Sequence, residues 1–169
     1  MTRMHTNAET IMADVPLHEQ VLDTWRIASR LNHYLLHAIS DEGLDDQPPT
    51  KGRSVRKQLA HVHNVRLMWL QSAAPDLLEG LRKFEPEEEP GREALADALR
   101  ASADAVEALL ARGLETGKIK GFKPHPTAFL GYMIAHEGHH RGQILLALKA
   151  NKHMVDRKVQ YGLWEWGVR

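Results

Sequence analysis

The chain has 169 residues, 22 basic and 22 acidic side chains by the Lys+Arg and Asp+Glu counts, and no cysteine. Its length suits one domain, 1–169, whose core can stand without covalent staples, and its balanced charge argues against nucleic acid as a partner. Without cysteine, disulfides and thiolate-held zinc are excluded, so any metal must be held by histidine, carboxylate or water, and a thiol nucleophile would have to come from a bound small molecule.

The N-terminus, Met1 to Asp14, has no apolar stretch of the signal-peptide kind, and no run of about 18 apolar residues occurs anywhere. The expectation is a cytoplasmic protein that does not use a membrane. Helical spacing dominates, and no period-two run is long enough to read as a strand. A first helix is predicted from near Asp14, with Pro16 in its first turn, to about Ser40. Its apolar stripe is Leu17, Val21, Trp25, Ala28, Leu35 and Ile39, with Asn32 near it as an interior hydrogen-bonding group. Pro48, Pro49 and Gly52 mark a loop. Ser54 then caps a second helix to about Ser72, buried on Val55, Leu59, Val62 and Trp69. Pro75 breaks it, and Asp76 to Phe84 reads as a short helix or ordered loop.

The acidic connector Glu85 to Gly91 reads as solvated rather than as a cation site. A third helix follows from about Arg92 to Arg112, with Gly113 as its C-cap. The fourth runs from near Pro126 to about Asn151. Gly138 and Gly142, one turn apart on it, could admit a close neighbouring backbone. Four amphipathic helices joined by loops predict an all-α protein, a four-helix bundle.

The fourth helix carries the most informative stretch, His136-Glu137-Gly138-His139-His140. Residues i and i+4 lie one turn apart on one helical face, so His136 and His140 can reach one ion. On a helical wheel they fall within the stripe of Phe129, Met133, Ile144 and Ala147, with Gln143 beside them. Imidazoles on a buried face need partners for both ring nitrogens, and a shared metal ion is the economical one. The other i, i+4 pair, His33 and His37, points away from its stripe and is expected to be exposed. His61 and His63 flank the second helix's apolar face on opposite sides. Two residues apart, they cannot both point inward, and periodicity does not choose between them.

The segment Ser54 to His61, joined to the run His136 through Ile144 (H-x-x-x-H-x-G-Q-I), resembles the DinB-like, YfiT-type family of metal-binding four-helix bundles. That family is unrelated to the DNA polymerase sharing its name. The likeness covers nearly the whole chain in helix order and spacing and is most specific at His136 to Ile144. It implies a metal triad of His61, His136 and His140, leaving His63 outside. Three histidines without a fourth protein ligand form an open site of the catalytic kind, for which zinc and nickel are both suitable. Several relatives catalyse thiol-dependent reactions with mycothiol, bacillithiol or glutathione. The resemblance thus implies a low-molecular-weight thiol whose metal-stabilised thiolate attacks an electrophilic small molecule. The rival expectation is a non-catalytic, stress-related binding protein braced by its ion.

The same five residues match H-E-x-x-H, the zinc-protease signature, with Glu137 as base and Glu165 as a downstream acidic ligand. Context opposes that reading: there is no strand to bind an extended substrate, and Gln143 stands where the longer motif has glycine. Glu137 lies at the stripe's margin, which suggests a contact behind the ligands or at the surface. Arg53, Arg56, Arg66 and Arg141 are candidate anchors for a thiol's carboxylates, although exposed arginines are usually solvated. The tail Tyr161 to Trp166 holds three of the ten aromatic residues. It is expected to pack as a lid on the bundle's end; the alternatives are a homodimer contact or a wall of the metal pocket.

Overall fold

The computed structural model describes residues 15–168. Its helices are α1 (Leu17–Ala38), α2 (Val55–Ala73), α3 (Arg92–Thr116), α4 (Pro126–Ala150) and a short α5 (Arg157–Gly162). Among the described residues there is no strand, only an isolated bridge between Ile119 and Phe122. Among the described residues no helix is long and apolar enough to cross a membrane. Ser54 begins α2 as expected, its hydroxyl accepting from the Lys57 N–H at 3.4 Å. At α4 the cap is the His125 imidazole, which accepts from the Ala128 N–H at 3.1 Å, and Pro126 takes the first helical position, where no N–H is needed.

Several local expectations are corrected. The Asp14 start lies outside the described residues, and α1 ends at Ala38 rather than Ser40. Leu17 heads the expected stripe yet is 75% exposed, because it begins the helix beyond the packed core. Helix α3 continues past Gly113 by about a turn to Gly117, whose φ of 73° supplies the left-handed stop. Gly113 instead serves packing: a Cβ there would stand 2.3 Å from Ile119 Cδ1. Gly138 and Gly142 do not admit a neighbouring backbone. A Cβ at Gly142 would meet nothing within 4 Å, and one at Gly138 would meet only the Arg141 side chain.

The apolar core falls into two clusters. One gathers Leu31, Leu35, Leu59, Leu95, Leu99, Ile144 and Leu148. The other gathers Trp25, Leu67, Leu70, Val106, Leu110, Phe129 and Met133. Helices α1 and α4 reach the second cluster first along the chain, whereas α2 and α3 reach the first cluster first. The two pairs therefore run in opposite directions, and the connection 74–91 must return the length of the bundle. That long return carries Phe84 back beside α2, where Asn64 pins it twice. Asn64 Nδ2 donates to the Phe84 carbonyl at 2.9 Å, and the Phe84 N–H donates to Asn64 Oδ1 at 3.0 Å.

Between the clusters lies a buried polar layer. Arg66 sits between Val62 and Leu67, Ser102 between Leu99 and Ala103, and Glu137 between Met133 and Ile144, so each helix changes from apolar to polar at one level. Arg66 and Glu137 are 0% and 1% exposed. The guanidinium grips the carboxylate with two bonds, Nε to Oε1 at 2.7 Å and Nη2 to Oε2 at 3.0 Å. Its remaining nitrogen donates to the Leu99 carbonyl at 2.7 Å and to Ser102 Oγ at 3.2 Å. Asn32 Nδ2 donates to Glu137 Oε2 at 2.6 Å, and Arg141 donates to Asn32 Oδ1 at 2.9 Å. One residue or more from each long helix joins this network, as a buried charge requires.

The tail beyond α4 closes one end. Val155 and Leu163 are buried in the first cluster, with Val159 and Trp166 packed against it. The lid expectation holds for those side chains only: Tyr161 and Trp164 are 62% and 81% exposed.

Candidate metal site

The three histidines implied as a triad come together. One candidate ligand atom from each of His61, His136 and His140 lies within 4.8 Å of the other two. Their ring centroids are 5.5 Å apart for His61 and His136, 4.7 Å for His61 and His140, and 4.6 Å for His136 and His140. His140 is buried, whereas His61 and His136 are half-buried. The cluster is therefore held from inside the bundle and approached from outside.

The choice between His61 and His63 is made by tertiary contacts. His63 is buried, with Nδ1 3.0 Å from the Ala98 carbonyl and Nε2 2.9 Å from the Arg82 carbonyl. A neutral ring donates to one of these and only an imidazolium to both, a form that burial opposes. His63 thus ties α2 to α3 and to the returning connection, and His61 on the other flank is left for α4.

The tautomer at His140 follows from its partner. Its Nδ1–H donates to Gln58 Oε1 at 2.5 Å, which leaves the Nε2 lone pair pointing at His136 Nε2, 3.2 Å away. Gln58 in turn donates to Gln143 Oε1 at 2.8 Å, and Gln143 Nε2 donates to His139 Nε2 at 2.8 Å. This chain of amides fixes the ring by the acceptor at its far nitrogen, the arrangement usual behind metal-binding histidines. Composition and wheel position did not single out Gln58. Its signal is spacing, because Gln58 and His61 stand at i and i+3 on one face.

Electrostatics keep the rings neutral. Burial pushes the His61 pKa down to about 4, helped by the Arg53 charge and by His136. Burial pushes His140 down to about 3, with His136 and His61 adding to the effect. His136 is lowered as well, again chiefly by burial. Neutral imidazoles present lone pairs and compete with no proton at neutral pH.

The donor set fits a divalent ion. Two nitrogens about 2.0–2.1 Å from a tetrahedral ion stand about 3.3 Å from each other, close to the 3.2 Å between the two Nε2 atoms. His136 Nδ1 is buried without a hydrogen-bond partner. With its proton on Nε2, His136 donates to His140 but leaves the buried Nδ1 unpaired; with its proton on Nδ1, that donor is unpaired and two Nε2 lone pairs face each other, a conflict that a cation between them resolves.

Glu137 is not beside the cluster's open face. A helical wheel through the apolar residues alone puts it at the stripe's margin; in the structure it is inside, paired with Arg66. Both its oxygens are committed to Arg66 and Asn32, so it cannot serve as the base of a protease. Arg66, grouped with the exposed arginines, is the partner that draws Glu137 inward. The helix-one pair also differs from expectation: His37 is exposed, but His33 is half-buried, and burial lowers its pKa to about 4. An aromatic wall stands beside His136, whose ring stacks at 6.3 Å on Tyr132, itself in contact with Trp69 and Phe122.

Residues 4–151 match the family model described as DinB family. No curated protein matches the chain.

Proposed function

The chain belongs to the DinB family, and from that premise we propose that it is a metal-binding protein that activates a small thiol for transfer to an electrophile. The observation that carries this reading is the neutral, half-open cluster of His61, His136 and His140. Zinc and nickel both suit three imidazoles. A divalent ion bound there supplies Lewis acidity, which lowers the pKa of a thiol brought to it.

The chain's own residues supply the rest. Gln58 holds His140 by its Nδ1–H and aims the Nε2 lone pair outward. Arg66 and Asn32 lock Glu137, so no carboxylate of the polar layer swings toward the cluster. With no cysteine in the chain, the sulfur must come from the ligand. In the transfer itself the thiol's proton leaves to solvent, the sulfur forms a bond to the electrophilic carbon, and that carbon's bond to its leaving group breaks, the leaving group departing with the bonding pair. The rival reading, an ion that merely braces the bundle, is disfavoured because the buried network already ties the four long helices together without it.

The test uses cobalt-loaded protein. Addition of the correct thiol from a panel of glutathione, bacillithiol, mycothiol and coenzyme A should produce a new near-ultraviolet absorption band. Turnover with a model electrophile should accompany it and be lost in H136A. Cobalt binding with neither band nor turnover across the panel would assign the protein to the binding class instead.

A further inference from the structure

A groove of about 280 Å3 opens beside His61, and its lining includes Arg53, Lys57, Asn64, Phe84 and Glu85. The cations near the cluster differ in whether they have partners. Lys57 is paired with Glu89 at 3.0 Å. Arg56 donates to Asp45 at 2.8 Å and to the Pro90 carbonyl at 2.7 Å. Arg66 is locked in the polar layer, and Arg141 is turned to Asn32. Arg82, just along the connection, is held by Glu88 at 2.8 Å. Arg53 is exposed and, among the described residues, has neither hydrogen bond nor ion pair.

Arg53 is also placed with some firmness. It directly precedes Ser54, the N-cap of α2, so its backbone is set by the start of the helix that carries Gln58 and His61 two turns on. Phe84, also in the lining, is pinned by Asn64. The groove's lining thus joins a hydrogen-bonded Asn64–Phe84 pair, a histidine of the cluster and an exposed, uncommitted guanidinium. A guanidinium offers a planar fork of donors that matches a carboxylate with two parallel bonds, and Arg is favoured over Lys where that geometry matters.

We propose that Arg53 anchors a carboxylate of the ligand that reaches the histidine cluster, so that the groove selects small thiols bearing an acid group over neutral ones. This rests on the function proposed above for the same site. Of the four arginines considered from the sequence as anchors, the contacts leave Arg53 alone uncommitted. Glu85, exposed and also part of the lining, disfavours a second acid group in the groove, so one carboxylate near Arg53 is the complement.

The test is a titration of cobalt-loaded protein with ω-mercapto carboxylic acids of graded length, each against its carboxamide, read by cobalt absorption. In the wild type the acid of the best-fitting length should bind about three- to fivefold more tightly than its amide, the upper part of the range for a charge pair at an exposed arginine. In R53Q that ratio should fall to about one while cobalt content stays unchanged; R53K should keep part of it. Cobalt binding with no acid preference, or with a preference that survives in R53Q, overturns the role of Arg53 and leaves the proposed function standing. If cobalt does not bind, the proposed function fails, and the metal-free protein is titrated with butyrate by NMR. Shifts at His61 and Asn64 that vanish in R53Q then support the anchor, and their absence overturns it.

Discussion

Glu137→Ala should be among the most destabilising single changes in this chain, although Glu137 is the residue a protease motif would make catalytic. Arg66 has no exposed side-chain surface, and Glu137 accepts two of its donors. Removing the carboxylate leaves a buried guanidinium holding only the Leu99 carbonyl, Ser102 Oγ and the Trp25 ring, over which it lies at 5.1 Å. It also strands Asn32 Nδ2. Breaking one side of a buried pair costs about 3–5 kcal/mol, because the surviving charge stays desolvated and uncompensated. For a domain of this size each kcal/mol moves Tm by about 2–4 °C, so E137A should melt roughly 6–20 °C lower. The double variant R66M/E137L removes both charges and should be less destabilised than E137A, since buried pairs exchange for apolar isosteres at little cost. Thermal and urea unfolding followed by circular dichroism measure the Tm shift and the free energies, and E137Q serves if E137A does not fold. A loss under about 1 kcal/mol in E137A, or a double variant whose loss is the sum of the singles, would refute the ion-pair account.

Two further outcomes follow from the contacts behind the cluster and from the buried imidazoles. Q58L removes the acceptor of His140 Nδ1–H and should weaken metal binding by about 10–100-fold with the fold intact; an unchanged affinity in a competition titration would count against the orienting role. In metal-free protein, burial holds His33, His61 and His140 at about 4, 4 and 3, whereas the unfolded rings take up protons near 6.5. Folded pKa values below the unfolded value mean stability is fully present above pH 6.5 and is lost as pH falls from there towards about 3. The urea midpoint should decline through that window, less steeply in H33Q, and a flat profile would contradict the burial of these rings.

The parts of this protein legible in the sequence are those encoded within one helix. His136 and His140 announce themselves because four residues bring them to one face, and the four long helices follow from their own stripes and caps. His61 required family resemblance, because His61 and His63 flank one apolar face symmetrically. What separates them is a pair of carbonyls, Ala98 and Arg82, supplied by α3 and by the long connection. The polar layer was illegible for the same reason. Glu137 reads as an interruption at the edge of an apolar stripe until Arg66, 71 positions away, is placed against it. From the sequence Gly113 reads as a helix stop, since nothing local says that Ile119 will pack where its Cβ would be.

The claim on which the rest depends is that His61, His136 and His140 together hold an ion. Elemental analysis of untagged protein tests it most directly, comparing the wild type with H61A and H140A after identical purification. The account predicts close to one divalent transition metal per chain in the wild type and most of it lost in either variant, with helical content preserved. A wild type without metal under loading, or full retention in H140A, would contradict it.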